Sequence, residues 1–490
     1  MNSARKIFLK ERTMARVRFD TEVQYLIYRV LKEVAKNAFE GTLLDNITDI
    51  PKTIVPGKKP TMRCCVYKER AILSERVKLA VEAYKTENNV IEVIDIACDD
   101  CPIGGYEVSN ACRGCLSRRC KAACKVKAIS FDENMHAVID KEKCIECGAC
   151  AKVCPYSAIR NYKRPCENAC KIGAISMGED REAEINREKC TSCGACVYQC
   201  PFGAITDRSY ILEAIEIIKN SENNTKYPVV AVVAPSIAGQ YKGFTNGQVV
   251  AGMKKLGFSV VVEAALGADM VAMKEAEELA EKGFLLSSCC PSFVSYVKKQ
   301  FPMLADKLSE NISPAAYISK KIKESMPDAK VIFVGPCTAK KEEYKQPHLK
   351  KYVDTVLTFE ELQAMFGSRE IDLADMEEDK LTGASYYGRV FARSGGLVEA
   401  VKQALKEQKR TDFEFKPISC NGIEECRLAL LRASKGVLDA NFIEGMACVG
   451  GCIGGAGCIT HEEKNRVMVD KYGRESQGKK MAEVIAESEY

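Results

Sequence analysis

Residues 144–155, Cys144-Ile145-Glu146-Cys147-Gly148-Ala149-Cys150-Ala151-Lys152-Val153-Cys154-Pro155, decide how the first half of the chain reads. They recur as Cys190-Thr191-Ser192-Cys193-Gly194-Ala195-Cys196-Val197-Tyr198-Gln199-Cys200-Pro201. Both stretches follow C-x2-C-x2-C-x3-C-P. At that spacing three thiolates hold one iron–sulfur cubane and the fourth serves its neighbour. C-x2-C pairs also hold zinc, but the full run closed by proline favours iron–sulfur. Around the two stretches CKVKAIS, CPYSAIR, CKIGAIS and CPFGAIT each end a unit, at Cys124, Cys154, Cys170 and Cys200. Such recurrence implies duplicated small modules.

The rest of the composition frames this reading. The chain has 490 residues, 26 of them cysteine, 46% apolar and 28% charged. That is a globular composition with room for about three domains. Basic residues number 72 and acidic residues 67, a net charge of +5; no nucleic-acid partner is expected. The opening MNSARKIFLKERTMARVRFD carries charge throughout and does not read as a signal peptide. No stretch reaches the ~18 apolar residues of a membrane span. The expectation is a cytoplasmic protein whose cysteines are reduced and bind metal. With three histidines (His136, His348, His461) and no Trp, histidine metal sites and Ser-His triads are not expected.

Upstream of the first stretch, Cys112, Cys115, Cys120 and Cys124 form a looser C-x2-C-x4-C-x3-C unit. Exchange of fourth ligands assigns Cys112, Cys115, Cys120 and Cys154 to one cubane. It assigns Cys144, Cys147, Cys150 and Cys124 to a second. The other module has only Cys166 and Cys170 in its first half, so Cys190, Cys193, Cys196 and Cys170 form a third. Cys98, Cys101, Cys166 and Cys200 are left over. They are either a fourth cluster or free cysteines, so three to four accessory 4Fe-4S clusters are expected. From Arg113 to Lys127 there are six basic residues and no acidic one, beside cluster ligands. This is either a docking face for an acidic carrier or a solvated basic face.

Residues 1–97 contain few cysteines. Thr21–Asn37 reads as an amphipathic helix with Val23, Leu26, Ile27, Val30 and Leu31 on one face. Arg70–Tyr84 reads as a second, with a loop at Pro51, Pro56, Gly57 and Pro60 between them. Cys64 and Cys65 read as free thiols. From about 225, apolar runs at 227–235, 258–265, 283–288 and 330–336 read as buried strands. They alternate with helices at Gly247–Leu256, Ala268–Lys282 and Pro314–Ser325, an α/β layer pattern. Sites in such sheets collect at the carboxyl ends of strands, and two of these strands run straight into cysteines. The expected division is a helical region at 1–97, an iron–sulfur region of two dicluster-like modules at 98–205, a catalytic domain at 225–470 and a tail at 471–490. The fold class is α+β. No G-x-G-x-x-G or Walker motif is present, so direct nucleotide use is not expected.

Three separated signals close the chain. They are Ser287-Ser288-Cys289-Cys290-Pro291-Ser292-Phe293, Gly335-Pro336-Cys337-Thr338-Ala339-Lys340-Lys341-Glu342-Glu343 and Glu444-Gly445-Met446-Ala447-Cys448-Val449-Gly450-Gly451-Cys452. On spacing alone, Cys448 and Cys452 with one cysteine from each other signal offer four thiolates. In order, and over about 225–465, the signals resemble the three signature segments of the [FeFe]-hydrogenases. The region 110–205 resembles the ferredoxin-like accessory domain of that family's longer members, and Val449 resembles its group B branch.

The resemblance implies a two-lobed catalytic domain and an H-cluster: a 4Fe-4S cubane bridged by a cysteine sulfur to a two-iron unit carrying CO, cyanide and a dithiolate amine. It implies Cys290, Cys337, Cys448 and Cys452 as ligands, with Cys452 the bridge. Lys340 would donate to one cyanide, while Ala234, Pro235 and Ser236 line the other and Met446 packs beside the two-iron unit. Cys289 would be a proton-relay thiol, leading on through Glu275, Ser309 and Glu278. Without the resemblance, Glu275 and Glu278 read as solvated helix residues sharing a face. Departures stand at Gly335, Ala315 and the tail Gly454–Cys458. The implied activity is 2H⁺ + 2e⁻ ⇌ H₂, with electrons from a soluble carrier such as ferredoxin and a dependence on H-cluster maturation enzymes. A slow H₂ sensor and a non-catalytic iron–sulfur assembly protein are the alternatives.

Overall fold

A computed structural model describes residues 17–81, 89–98, 101, 104–381, 383–410 and 413–488. The expected end of the second helix, at 82–84, lies outside them. Among the described residues no helix is long and apolar enough to cross a membrane.

The iron–sulfur half is built from four short antiparallel pairs. β1 (Ile91–Val93) pairs with β8 (Ile205–Asp207), and β2 (Gly105–Val108) with β5 (Ile159–Tyr162). β3 (Ile129–Phe131) pairs with β4 (Ala137–Ile139), and β6 (Ile175–Met177) with β7 (Ala183–Ile185). The Ala-Ile dipeptide that ends each repeat is the core of its unit: Ala128-Ile129, Ala158-Ile159, Ala174-Ile175 and Ala204-Ile205 are all buried. The register Ile91↔Asp207 carries this sheet across the boundary expected at 97/98. The segment before Cys98 is therefore part of the iron–sulfur unit.

Two parallel sheets follow. β9 (Val229–Val233), β10 (Val260–Glu263), β12 (Lys330–Val334) and β13 (Thr355–Leu357) form one, in the order β10-β9-β12-β13. β11 (Leu285–Leu286), β14 (Pro417–Asn421) and β15 (Phe442–Met446) form the other, in the order β11-β15-β14. The four apolar runs are all strands, but the run at 283–288 belongs to the second lobe. β9 is buried along its whole length, as its Val-rich sequence requires of a strand covered on both faces. Between the lobes lies the helix Ala264–Lys282, which starts four residues before the expected Ala268. The helix Pro314–Ser325 is as expected.

The N-terminal helices are not a separate body. The helix Glu22–Glu40 is capped by a reciprocal Thr21/Gln24 box and packs on Phe359–Ser368. Its buried face is Tyr25, Tyr28, Val30, Leu31, Val34 and Ala35, while Val23, Leu26 and Ile27 are only half-buried. Rotation of this kind follows from the two tyrosines, whose large rings take the centre of the interface. The second helix is Val66–Ala80; it begins earlier than Arg70 because Cys65 caps it, its sulfur accepting from Lys68 N at 3.4 Å. Pro51 lies in the first turn of a short helix, Ile50–Ile54, where its missing N–H costs nothing. The tail is also integral. The helix Lys464–Arg474 crosses 470/471, and Met481 and Val484 are core residues.

Gln24 Nε2 donates to Glu360 Oε1 at 2.9 Å and to the Cys458 carbonyl at 3.0 Å. Burial, with Asp207 and Glu361 nearby, pushes Glu360 up to about 8. A folded pKa above the unfolded one gives stability that is complete below the unfolded value and is lost as pH rises through about 8. Glu360→Gln should therefore melt close to the parent at pH 4 and several degrees above it at pH 9, by calorimetry. An unchanged difference between the two pH values would mean that the Glu360 carboxyl is not raised by folding.

Candidate metal centres

The first two expected quartets each line a cavity. One is bounded by Cys112, Cys115, Cys120 and Cys154, with Phe131 and Ile159. The other is bounded by Cys124, Cys144, Cys147 and Cys150, with Tyr106 and Ile139. Exchange of the fourth cysteine between repeats is thus what the fold places together. Among the described residues no three His, Cys, Asp or Glu side chains converge tightly enough for a single metal ion. Thiols set around a space suit a four-iron cubane; a lone zinc, bonded at ~2.3 Å to each sulfur, needs them on a point.

The repeat also shows how it holds charge. Ala128 N donates to Cys124 Sγ at 3.2 Å, Ala158 N to Cys154 at 3.4 Å, Ala174 N to Cys170 at 3.2 Å and Ala204 N to Cys200 at 3.2 Å. Amide donors of this kind stabilise thiolate sulfur and set cluster potentials.

In the second module Cys190, Cys193 and Cys170 lie close enough to Cys196 for their charges to push its thiol up, with burial the larger cause. Cys98 and Cys200 act in the same way on Cys166, which burial first of all raises to about 11. Three of the four leftover cysteines are therefore neighbours. Cys101 is half-buried, beside residues outside the described ones.

The three C-terminal signals meet where the sheets end. Cys290 and Cys337 cap the helices Pro291–Gln300 and Thr338–Glu343; Cys448 and Cys452 follow β15. Burial raises Cys337 to about 12, with the charges of Cys290 and Cys452 adding to it. Cys448 is raised by burial and then by Cys337, Cys290, Cys193 and Cys452. Lys340 offsets part of the charge that these four converging thiolates would carry; a cationic metal cluster would offset the rest, so the donor set fits one. Ser236 Oγ, fully buried, has no hydrogen-bond partner among the described residues, as expected of a donor waiting for a bound group. Ala234 and Met446 are buried, and Pro235 opens the turn Pro235–Gly239. Lys340 is placed less simply. Its Nζ donates to Glu343 Oε2 at 2.6 Å and lies 5.3 Å from the Tyr344 ring centre. Burial works against its charge, but Glu343 more than restores it, and an ammonium keeps two further donors.

Cys289 is enclosed, and burial followed by Glu275 keeps its thiol well above the ordinary range. Glu275 is fully buried, accepting from Ser288 N at 3.3 Å and Ser288 Oγ at 3.4 Å. Its Oε2 has no hydrogen bond among the described residues. Burial raises it to about 8, while Ser309 helps hold its charge. Ser309 Oγ donates to Glu278 Oε2 at 2.7 Å, and Glu278 Oε1 accepts from Lys282 Nζ at 2.7 Å. Lys282 also pairs with Glu310, whose side chain is 82% exposed. Cys289, Glu275, Ser309 and Glu278 therefore lie near one another, with Lys282 and Glu310 at the exposed end.

Sequence reading gave no role to several groups here. Glu444, fully buried, accepts from Gly395 N at 2.8 Å and Val398 N at 3.1 Å. Burial lifts it to about 7, and its charge bears on Cys289 and Cys452. The contact between the Cys190 loop and the catalytic centre was also unforeseen. Thr338 Oγ1 donates to Ser192 O at 2.7 Å, and Ser292 Oγ to Thr191 Oγ1 at 2.9 Å. A Cβ on Gly194 would collide with Ala456 and stand 2.7 Å from Thr338 Oγ1. This glycine lets the third quartet abut the catalytic one, and Cys290 is near enough to raise Cys193.

Comparison with known proteins adds the following. The family described as Iron only hydrogenase large subunit, C-terminal domain, matches residues 227–456, and a 4Fe-4S binding domain matches 137–160 and 183–206. Iron hydrogenase 1 of Clostridium pasteurianum is 29% identical over 295 residues, 49% of this chain and 51% of that protein. This chain therefore spans about half the length of that relative. The periplasmic [Fe] hydrogenase large subunit of Nitratidesulfovibrio vulgaris is 30% identical over 383 residues, 66% of this chain and 87% of that one. The cytosolic Fe-S cluster assembly factor NAR1 of Kluyveromyces lactis is 35% identical over 91 residues, 19% of each chain.

Proposed function

The chain belongs to the iron-only hydrogenase family, and from that premise we propose that it interconverts protons and H₂, 2H⁺ + 2e⁻ ⇌ H₂. The observation that carries the reading is a fifth thiol, Cys289, beside the converging thiols and next to the buried carboxyl of Glu275. Cys290, Cys337, Cys448 and Cys452 would hold an H-cluster. Bound there, the cluster supplies the redox chemistry at iron.

The chain's own residues do the rest. Cys289 carries a proton at its sulfur, and Glu275 exchanges it at Oε1 or Oε2. Ser309 and Glu278 pass it to Lys282 and Glu310 at the surface. Proton transfer by positioned groups of this kind typically contributes 10²–10⁴-fold. Ser236 and Lys340 orient what is bound through their free donors. Ala234, Pro235 and Met446 wall the site and exclude water.

Electrons pass through three or four accessory 4Fe-4S clusters, the last of them at Cys170, Cys190, Cys193 and Cys196. We assign the fourth to Cys98, Cys101, Cys166 and Cys200. The carrier is an acidic ferredoxin, met by the exposed Arg113, Arg119, Lys121, Lys125 and Lys127 around the fully exposed Leu116. Opposite charge steers such encounters. The setting is a reducing cytoplasm with H-cluster maturation enzymes.

The likeness to an assembly factor favours a second reading, an iron–sulfur protein without H₂ chemistry. An assembly role has no need of a buried proton path. Infrared spectra of the matured full chain should show bands of bound CO and cyanide, and reduced carrier should drive H₂ release. Absence of both would overturn the enzyme in favour of the assembly protein.

A further inference from the structure

The N-terminal helices deliver a charge to the iron–sulfur half. Arg76, on the helix Val66–Ala80, is only 5% exposed. Its Nη2 donates to the Gly203 carbonyl and, at 3.5 Å, to that of Phe202. Nε and Nη1 are buried with no hydrogen-bond partner among the described residues. Gly203 is what lets it dock. Its φ is +61°, and a Cβ there would stand 2.6 Å from Arg76 Nη2 and 2.7 Å from Val23 Cγ1.

A guanidinium buried with two nitrogens unpaired is costly unless negative charge lies close. The negative charge that bears on Arg76 is that of Cys200; burial lowers its pKa to about 10, which still leaves it a cation at neutral pH. A second buried guanidinium approaches from the other side. Arg164, 1% exposed, places Nη1 4.0 Å from Cys98 Sγ and donates Nη2 to Arg181 O at 2.5 Å. Half-buried Arg63 adds a third guanidinium, donating to Ala97 O at 3.4 Å and Phe202 O at 3.3 Å, 5.1 Å from the Phe202 ring centre. Within this group Cys98, Cys166 and Cys200 are 6%, 5% and 7% exposed. Of the carboxylates nearby, Glu167 bears on Cys166. Glu22 and Glu69 line one cavity with Arg76, and Asp207, Glu360 and Glu361 line another; Glu69 is taken up by Thr61 and Met62, Asp207 and Glu361 by Lys341, and Glu360 by Gln24. Beside the other accessory cysteines, the cations Arg113, Arg119 and Lys299 are exposed and so screened by water and salt.

We propose that Arg76 and Arg164 are the buried counter-charges of the cluster held by Cys98, Cys101, Cys166 and Cys200, and that they set its reduction potential above those of the other accessory clusters. The inference rests on the assignment of that fourth cluster made above. Reduction adds one electron to a group that is already anionic. A fixed cation in a low-dielectric setting therefore favours the reduced form. The consequence is a place for an electron to wait between the carrier face and the catalytic lobe. It also gives the N-terminal helices a role in the redox chemistry rather than in scaffolding alone.

EPR-monitored titration of the full chain with dithionite, in Arg76→Gln, Arg76→Lys and Arg164→Gln, tests this. Arg76→Gln should move one cubane signal to a lower midpoint, by about tenfold in its reduced-to-oxidised ratio at fixed potential, which is ~59 mV for one electron. Arg76→Lys should restore most of the shift, and the other signals should stay in place. Arg164→Gln, on a different element, should move the same signal the same way and decides the matter if Arg76→Gln does not fold. Cys98→Ser separates the two levels. Loss of about four iron atoms and one signal supports the cluster; loss of neither overturns the cluster itself. If Cys98→Ser removes a signal whose midpoint neither arginine variant shifts, the cluster stands and the charge assignment falls.

Discussion

Replacing Cys289 by alanine should remove nearly all H₂ turnover, on the order of 10²–10⁴-fold, while leaving the infrared bands of bound CO and cyanide in place. A ligand and a relay make different demands on a thiol. A ligand is a thiolate bonded to iron, and its loss empties the site. A relay must hold a proton and release it to a neighbour at hydrogen-bond reach. Burial and the adjacent Glu275 hold the Cys289 thiol protonated, as a relay requires. Glu275, raised to about 8, is itself mostly protonated at neutral pH, so it hands its proton to Cys289 only as the thiol gives up its own. Cys290→Ala should instead lose the cubane and the bands together. Cys289→Asp should recover part of the turnover, because a carboxyl also carries a proton. Near-normal turnover in Cys289→Ala would sink the relay, and with it the strongest reason to read the chain as an active enzyme.

How much of this was legible in the sequence differs from element to element. The cysteine spacings assigned the first two quartets, and both cavities have those walls. Local spacing suffices there, because each ligand set lies on one or two short loops of a duplicated unit. The apolar runs marked the strands but not their sheets. The run at 283–288 looks like the others, yet β11 pairs with β15 in the second lobe. Pairing is decided by connections more than a hundred residues long, which leave no local trace. The N-terminal helices were visible as helices, but their role was not. Arg76 reads in sequence as one more charge on an amphipathic face. Only packing against Gly203 reveals it as buried. A sheet and a helix cross the positions 97/98 and 470/471, and neither crossing leaves a local trace. Glu444 shares a motif with two ligands, but its function as a buried acceptor for Gly395 and Val398 depends on a helix nearly fifty residues away.

Lys341 is the residue whose loss should cost the fold most. The sequence offers two consecutive lysines after Cys337, and only the first has a role implied by resemblance. The second is the more deeply buried, with a fully enclosed side chain. Its Nζ donates to Asp207 Oδ2 at 2.8 Å, to Glu361 Oε1 at 2.9 Å and to the Arg208 carbonyl at 2.7 Å. Asp207 ends β8 of the iron–sulfur half, while Glu361 lies in the first turn of Phe359–Ser368. Glu361 also accepts from Ser209 Oγ at 2.6 Å. One ammonium therefore ties the iron–sulfur half to the lobe that carries Phe359–Ser368. Burial alone would push Lys341 down, but the two carboxylates hold it well above its usual value. Lys341→Met keeps much of the stem's volume and removes the charge, leaving Asp207 and Glu361 buried without it. Removing one partner of a buried pair typically costs ~3–5 kcal/mol. The urea midpoint should fall accordingly, and the two halves should unfold separately rather than together. Lys341→Met combined with Asp207→Asn and Glu361→Gln should recover most of that loss, because no unpaired charge is then left inside. If Lys341→Met alone unfolds within about 1 kcal/mol of the parent, a cost no larger than that of an exposed pair, then water reaches those carboxylates and the junction is held by its apolar contacts instead.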